Sequence, residues 1–314
     1  MIELLRTDGA RTATVTDIAE WTWVRLTAPT DAEINRVAQA LGGLDTDDLI
    51  AARDPEEKTR IESEEGYTLI LIDVPTQEVK GDIVRYNTIP LGIIVLPHNI
   101  VTVCAEDTAV LEPFYKGLVR GFSTKNQTTF VYQIMLRCAL LYQRELRIVD
   151  SKRIEYESRI DSIASEQDLV GLHELESALV YFATSLRGNA GVLSRLGRTE
   201  RLRPSEAEQE LLDDAIMENQ QAIEMAQIYH DIIDGTRQLI SSVMESRLNN
   251  VMQRLTSITL ILSIPTVISG LYGMNVALEW MPLAQAAHGF TIISLITVVL
   301  CIVLAIYLYR KRML

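Results

Sequence analysis

The sequence is poor in the residues that carry most enzyme chemistry. Its three cysteines, Cys104, Cys138 and Cys301, show no paired spacing, which argues against a disulfide framework or a thiolate metal site and suits a reducing compartment. The four histidines, His98, His173, His230 and His288, are scattered, and no glycine-rich phosphate loop occurs. An enzyme is therefore the least favoured class, with no catalytic residue and no organic cofactor expected. A continuous apolar stretch is also missing from Met1 to Val15, where charges interrupt isolated apolar residues, so no signal peptide is expected and the N-terminal part should stay in the cytoplasm.

Positive charge is scarce as well. Residues 249–314 hold only Arg254, Arg310, Lys311 and Arg312 as bases and Glu279 as an acid, leaving 25 basic and 41 acidic residues in 1–248. Such an excess repels the phosphates of nucleic acid and anionic lipid while concentrating cations. No nucleic-acid partner is expected, and a cation is the favoured one.

Charge is missing altogether from two C-terminal runs, Leu255–Tyr272 and Phe290–Tyr309, of 18 and 20 residues. Each matches the thickness of a hydrocarbon core, so both read as transmembrane helices in a lipid bilayer. Arg247 and Arg254 precede the first, and Arg310, Lys311 and Arg312 follow the second. The positive-inside rule then puts both ends in the cytoplasm. The loop between them, GMNVALEWMPLAQAAHG, has no Lys or Arg and falls outside, with Trp280 near the interface and Glu279 available to attract cations.

The remainder divides in two. Up to about residue 127 strand-like and helix-like segments alternate: strands over Trp21–Leu26 and Thr68–Val74, an amphipathic helix over Asp31–Leu41, and a hairpin of Ile89–Leu96 with Ile100–Cys104 turned at Pro97-His98-Asn99. This is an α/β domain. Long helical stretches follow over Thr128 to about Ser165 and Glu166–Leu196, expected to form a helical hairpin. The break GRTERLRP leads to Ser205 and Glu208, spaced as a capping box. No proline intervenes before Pro265, so one helix of roughly 100 Å can run from Ser205 into the membrane. Along it Met225, Tyr229, Ile232, Thr236, Leu239 and Val243 recur at steps of four and three, a coiled-coil seam that suits either self-association or packing on the preceding hairpin.

Read at helical steps, the first span places Asn249, Met252, Thr256, Thr259, Ser263, Thr266 and Gly270 on one polar or small face, with aliphatic residues elsewhere. Such a face suits close helix packing, and it equally suits the wall of a pore built from several copies, constricted by Met252 and Leu255. Pro265 frees the carbonyl of Ile261 to face water, an ion or a hydroxyl, with a local kink.

At the outer end of this helix stands Tyr272-Gly273-Met274-Asn275, and there the sequence resembles the CorA family of magnesium channels, whose signature is Gly-Met-Asn after the first of two C-terminal spans. The stretch NNVMQRLTSITLILSIPTVISGLYGMN resembles that family throughout, and the architecture covers essentially the whole chain. The resemblance implies a funnel-shaped homopentamer in the plasma (inner) membrane. Its parts would be a cytoplasmic α/β domain (1–127), a helical hairpin (128–204), a stalk helix (205–254), a pore-lining helix (255–272), an external loop (273–289), a second transmembrane helix (290–309) and a basic cytoplasmic tail (310–314).

Magnesium surrenders its water reluctantly, so a ring of Asn275 amides can recognise the hydrated ion through neutral oxygens. Gly273 permits the turn, and Met274 and Tyr272 can pack the ring from behind. The resemblance further implies a path lined by Asn275, Thr266, Ser263, Leu255, Met252 and Asn249, to which the helical steps add Thr256, Thr259 and Gly270, and gating by internal Mg2+ bound between cytoplasmic domains. Two positions depart from the family: Ser263 stands where some members carry a pore methionine, and Gln238 where a regulatory stalk carboxylate is expected, leaving Asp231 and Asp234 nearby as the regulatory metal candidates. Transport of Co2+, Ni2+ or Zn2+ on the same architecture is the nearest alternative, although zinc exporters are expected to vary the residue kept here as Met274. A non-conducting membrane-tethered scaffold is the alternative of a different class.

The orientation is directly testable. A cysteine introduced as Ala287→Cys should react with a membrane-impermeant maleimide added outside intact cells, whereas one placed beside Arg310 should react only after the cells are opened.

Overall fold

The structure is a computed structural model that describes residues 1–9, 11–80, 83–158, 166–277 and 281–311. The chain divides into two units, Met1–Arg237 and Gln238–Leu314. The strands of the first are β1 (Ile2–Asp8), β2 (Arg11–Thr14), β3 (Trp23–Thr27), β4 (Arg60–Ser63), β5 (Thr68–Lys80), β6 (Ile83–Val95) and β7 (Ile100–Cys104). They form one sheet in the order β2-β1-β3-β7-β6-β5-β4, with β3 and β7 parallel and all other neighbours antiparallel. Strand β7 is buried at every residue and β3 at four of five, so helices must cover both faces of the sheet.

Successive side chains of a strand point to opposite faces, and β3 feeds two different cores accordingly. Val24 and Leu26 join Leu69, Leu71, Ile94, Val101 and Val103 beneath α1 (Asp31–Leu41) and α2 (Thr46–Ala51), which contribute Ile34, Val37 and Leu49. A capping box starts α1: Thr30 Oγ1 accepts from the Glu33 amide at 3.3 Å while the Glu33 carboxylate accepts from the Thr30 amide at 2.9 Å. Its bounds are those expected from the periodicity. On the other face Trp23 meets Phe114, Phe122 and Phe130 edge-on, and its Nε1 donates to Thr102 Oγ1 at 2.8 Å. Helix α3 (Glu112–Tyr115) supplies Phe114, and Phe130 belongs to α4 (Gln127–Ser158). Helix α5 (Glu166–Leu196) packs on α4 through Tyr142 and Phe182, with ring centroids 5.3 Å apart.

Several strands differ from expectation for local reasons. Trp21 stands outside β3 because its φ is +66° and its amide bonds the His98 carbonyl. The β6–β7 hairpin turns at Pro97-His98-Asn99 as expected, with Leu96 N–H on Asn99 O at 2.9 Å. Strands β5 and β6 are longer than the apolar runs suggest, and both contain a proline. Pro75 lies opposite Thr88 and Pro90 opposite Asp73, at positions where the Asp73 amide does not need the facing strand. Instead Asn189 of α5 clamps that edge of β5, accepting from Asp73 N–H at 2.9 Å and donating to Asp73 O at 2.8 Å. The Asp73 carboxylate accepts from Ser185 Oγ at 2.6 Å.

Helix α6 (Glu206–Tyr272) is the single long helix expected, with Pro265 inside it. At its start the Glu208 carboxylate accepts from Ser205 N–H and Oγ at 3.0 and 2.8 Å and from Thr129 Oγ1 of α4 at 2.8 Å. Burial would raise this carboxyl, but the hydrogen bonds from Ser205 and Thr129 outweigh it and hold the group below the usual carboxylate range. The seam buried within the chain is Leu212, Ala215, Asn219, Ala222, Ala226, Ile233 and Thr236, with Tyr229 half-buried. Of the stripe read from the larger apolar residues Thr236 is buried and Met225, Tyr229 and Val243 are half-buried, whereas Ile232 and Leu239 are exposed. Small alanines allow this close approach, which Asn219 extends by donating to the Leu186 carbonyl of α5 at 3.0 Å.

Burial pushes the Asp73 carboxyl above its ordinary value, against the opposing Ser185 bond. A folded-state value above the unfolded one means that ionised Asp73 costs stability, and that this cost disappears as pH falls through the raised value towards 3.8. Asp73→Asn should therefore raise the unfolding midpoint of the detergent-solubilised chain near neutral pH, with the gain shrinking to nothing on acidification.

Candidate pore and selectivity site

The second unit is built from the C-terminal part of α6 and from α7 (Gly289–Arg310), both long and apolar enough to cross a membrane. Between residues 251 and 272 only Ser257 is buried, and Ile261, Ile264, Pro265, Ile268 and Tyr272 are half-buried. At about 100° per residue these six fall on one side of α6. From α7, Ser294, Thr297 and Cys301 line the cleft of about 810 Å³ that Pro265, Ile268 and Tyr272 line from α6. All eight residues read as pore-lining, Asn249, Met252, Leu255, Thr256, Thr259, Ser263, Thr266 and Gly270, are exposed. Their stripe is centred on the side of α6 opposite the one turned to α7.

The hydroxyls on that stripe are oriented by their own helix. Thr259 Oγ1 donates to Leu255 O at 2.8 Å, Ser263 Oγ to Leu260 O at 2.8 Å, and Thr266 Oγ1 to Leu262 O at 2.9 Å. With the hydroxyl hydrogen engaged, each oxygen offers its remaining lone-pair capacity outward. Such a surface accepts hydrogen bonds and suits the outward-pointing hydrogens of a cation's water shell. The Ile261 carbonyl freed by Pro265 lies on the other side, where Cys301 Sγ of α7 stands 3.7 Å away. Its partner is thus a thiol, rather than the water, ion or hydroxyl expected.

At the C-terminal end of α6 the helical bonding runs on to Gly273, whose amide donates to Ser269 O at 2.9 Å. Gly273 does not adopt a positive φ; a Cβ there would stand 3.2 Å from Ser269 O, so close approach explains the glycine better than turn geometry. Met274 is 54% exposed and Asn275 is exposed. Tyr272 turns the other way and donates from its hydroxyl to Pro282 O at 2.7 Å, tying the loop to the helix end. Glu279, Trp280 and Arg312 lie outside the described residues.

The two regulatory candidates sit in the first unit and differ. Asp234 Oδ1 accepts from Arg237 Nη2 at 2.8 Å, and Arg237 Nη1 lies 3.7 Å from Glu176 Oε2 of α5. Asp231 keeps an exposed side chain, 3.7 Å from His230 Nδ1. Among the described residues, no three of His, Cys, Asp and Glu come together to hold a metal ion. Within one chain Asp234 is therefore already neutralised by a guanidinium.

Sequence reasoning missed Cys301 and the Tyr272–Pro282 link. A signal for the first existed: Ser294, Thr297 and Cys301 follow at steps of three and four on the second span, a small and polar seam in an otherwise aliphatic helix.

These features define an integral membrane protein with a C-terminal helical hairpin carrying a polar stripe. The family model described as CorA-like Mg2+ transporter protein matches residues 19–311, and the chain belongs to this family. It is similar to the cobalt/magnesium transport protein CorA of Methanocaldococcus jannaschii, 26% identical over 297 residues covering 92% of this chain and 90% of the relative. Its counterpart in Thermotoga maritima is 23% identical over 324 residues, covering 99% and 88%. The fold is that of the complete CorA magnesium transporter structure from M. jannaschii, with a TM-score of 0.83 at 23% identity over 99% of this chain and 98% of that one.

Gly289 opens α7 against the Leu283 carbonyl, which an added Cβ would strike. Gly289→Ala should cost about 1–3 kcal/mol by overpacking, read as a lowered unfolding midpoint, and should loosen the loop to proteolysis before the first unit unfolds.

Proposed function

We propose that the chain is the subunit of a homopentameric magnesium channel in the plasma (inner) membrane, with both termini in the cytoplasm. Residues 1–127, 128–204 and 205–254 serve as the cytoplasmic domain, hairpin and stalk, and 255–272 lines the path. The observation that carries this reading is the placement of the hydroxyl stripe: it is exposed, acceptor-rich and opposite the side that α7 occupies. Copies arranged about an axis turn that stripe inward and leave α7 on the lipid side. Leu260, Val267 and Leu271 on one flank and Ile258 and Leu262 on the other, all exposed in the single chain, are then the contacts between neighbouring pore helices.

A hydrated Mg2+ is admitted at the Asn275 ring, where amide oxygens accept from its shell, with Gly273 and Met274 shaping the turn. Thr266, Ser263, Thr259 and Thr256 pass it inward, and Met252 with Leu255 forms the apolar constriction above Asn249. Driving force needs no nucleotide, because two charges crossing about 100 mV gain roughly 4.6 kcal/mol. The names of the relatives support cobalt as a second ion for the same path. For gating, internal Mg2+ acting at Asp231 and Asp234 would have to compete with Arg237 for Asp234, whereas Asp231 is open.

Influx into liposomes loaded with a magnesium-sensitive dye tests the reading. Asn275→Ala should lower selective Mg2+ influx about tenfold or more, since several shell contacts are lost together, or leave a non-selective path. Unchanged selective uptake would remove Asn275 from its role.

A further inference from the structure

Pro265 is the one proline among residues 205–272, and its consequence is confined to one carbonyl. It has no amide hydrogen for Ile261 O, and an unsatisfied carbonyl in a hydrocarbon medium is costly. Because Pro265 and Ile261 are both on the side of α6 turned to α7, the freed carbonyl cannot reach the hydroxyl stripe. Cys301 Sγ, 3.7 Å away, is its donor, weak in itself but placed at the point where α6 lacks an internal bond. Beyond it the helices are separated by the cleft of about 810 Å³ up to the Tyr272–Pro282 hydrogen bond. The segment of α6 between Ile261 and Tyr272 is thus tied at both ends, with the cleft between the ties.

We propose that Cys301 is a positioning residue: its thiol holds α6 to α7 beside Pro265, and through that contact sets the distance of Thr266 and Asn275 from the channel axis. This rests on the pore reading above. Cys104 and Cys138 take no part; they lie in the first unit, buried, with their thiols pushed up by burial, Cys104 to about 11.

The test is a double-mutant cycle on the full chain in liposomes, reading Mg2+ influx and the ratio of Co2+ to Mg2+ influx. Cys301→Ala should change influx about two- to fivefold, the worth of one weak hydrogen bond, and shift the ratio. Cys301→Ser keeps a donor and should restore both. In Pro265→Ala the new amide satisfies Ile261 O, so adding Cys301→Ala to it should change nothing further.

Independent, multiplying effects of the two substitutions, equal behaviour of the Ser and Ala variants, or an unmoved ratio would each overturn the proposal. The same cycle read as unfolding midpoints in detergent separates the two claims. Coupling there with no influx from any chain means the pore reading has failed and the positioning role with it. Normal influx from the unmodified chain without coupling means that only the positioning role has failed.

Discussion

A backbone that leaves water must satisfy its own donors and acceptors, and most of the second unit follows from that requirement. Helix α7 is uninterrupted over its 22 residues, and α6 continues as helix to Tyr272. Hydroxyls on the exposed stripe fold back on carbonyls of their own helix instead of waiting for outside partners. The single interruption, at Pro265, is answered from the neighbouring helix by Cys301. The two sides of α6 therefore differ: one is acceptor-rich and open, the other largely aliphatic and turned to the small, polar seam of α7.

The same accounting applies in the first unit, where β5 runs on past the end of β4 and a helix satisfies the edge left bare at Asp73. Asn189 reproduces for Asp73 the donor and acceptor that another strand would have offered. This brings an ionisable side chain into the interface between sheet and helices, where Ser185 meets it. A net acidic surface surrounds these local arrangements, yet individual acids are often matched close by, as Asp234 is by Arg237 and as Glu3 and Asp107 are by Arg25. The excess acts as a long-range field for cations rather than as a set of ready-made binding sites.

Features encoded within a few residues were legible in the sequence. Helix α1 announced itself by its apolar spacing, the start of α6 by Ser205 and Glu208, and the hairpin by two charge-free runs. The Tyr272–Asn275 stretch pointed to the family that residues 19–311 match. What escaped depends on contacts across long separations. The extension of β5 and β6 past their apolar centres depends on Asn189, more than a hundred residues away, and the α6 seam runs through alanines that a search for large apolar residues passes over. Cys301 meets Ile261 across 40 residues, so its role could be suspected from spacing but not assigned.

Placing the α7-facing seam and the hydroxyl stripe on opposite sides of one helix also separates two kinds of selection. Replacing Ser263 or Thr266 alters what the open face offers to a passing solute without touching Ser257, Ile261 or Ile268, which hold the hairpin together. The chemistry of the open face can therefore change by single substitutions while the packing of the two helices stays intact.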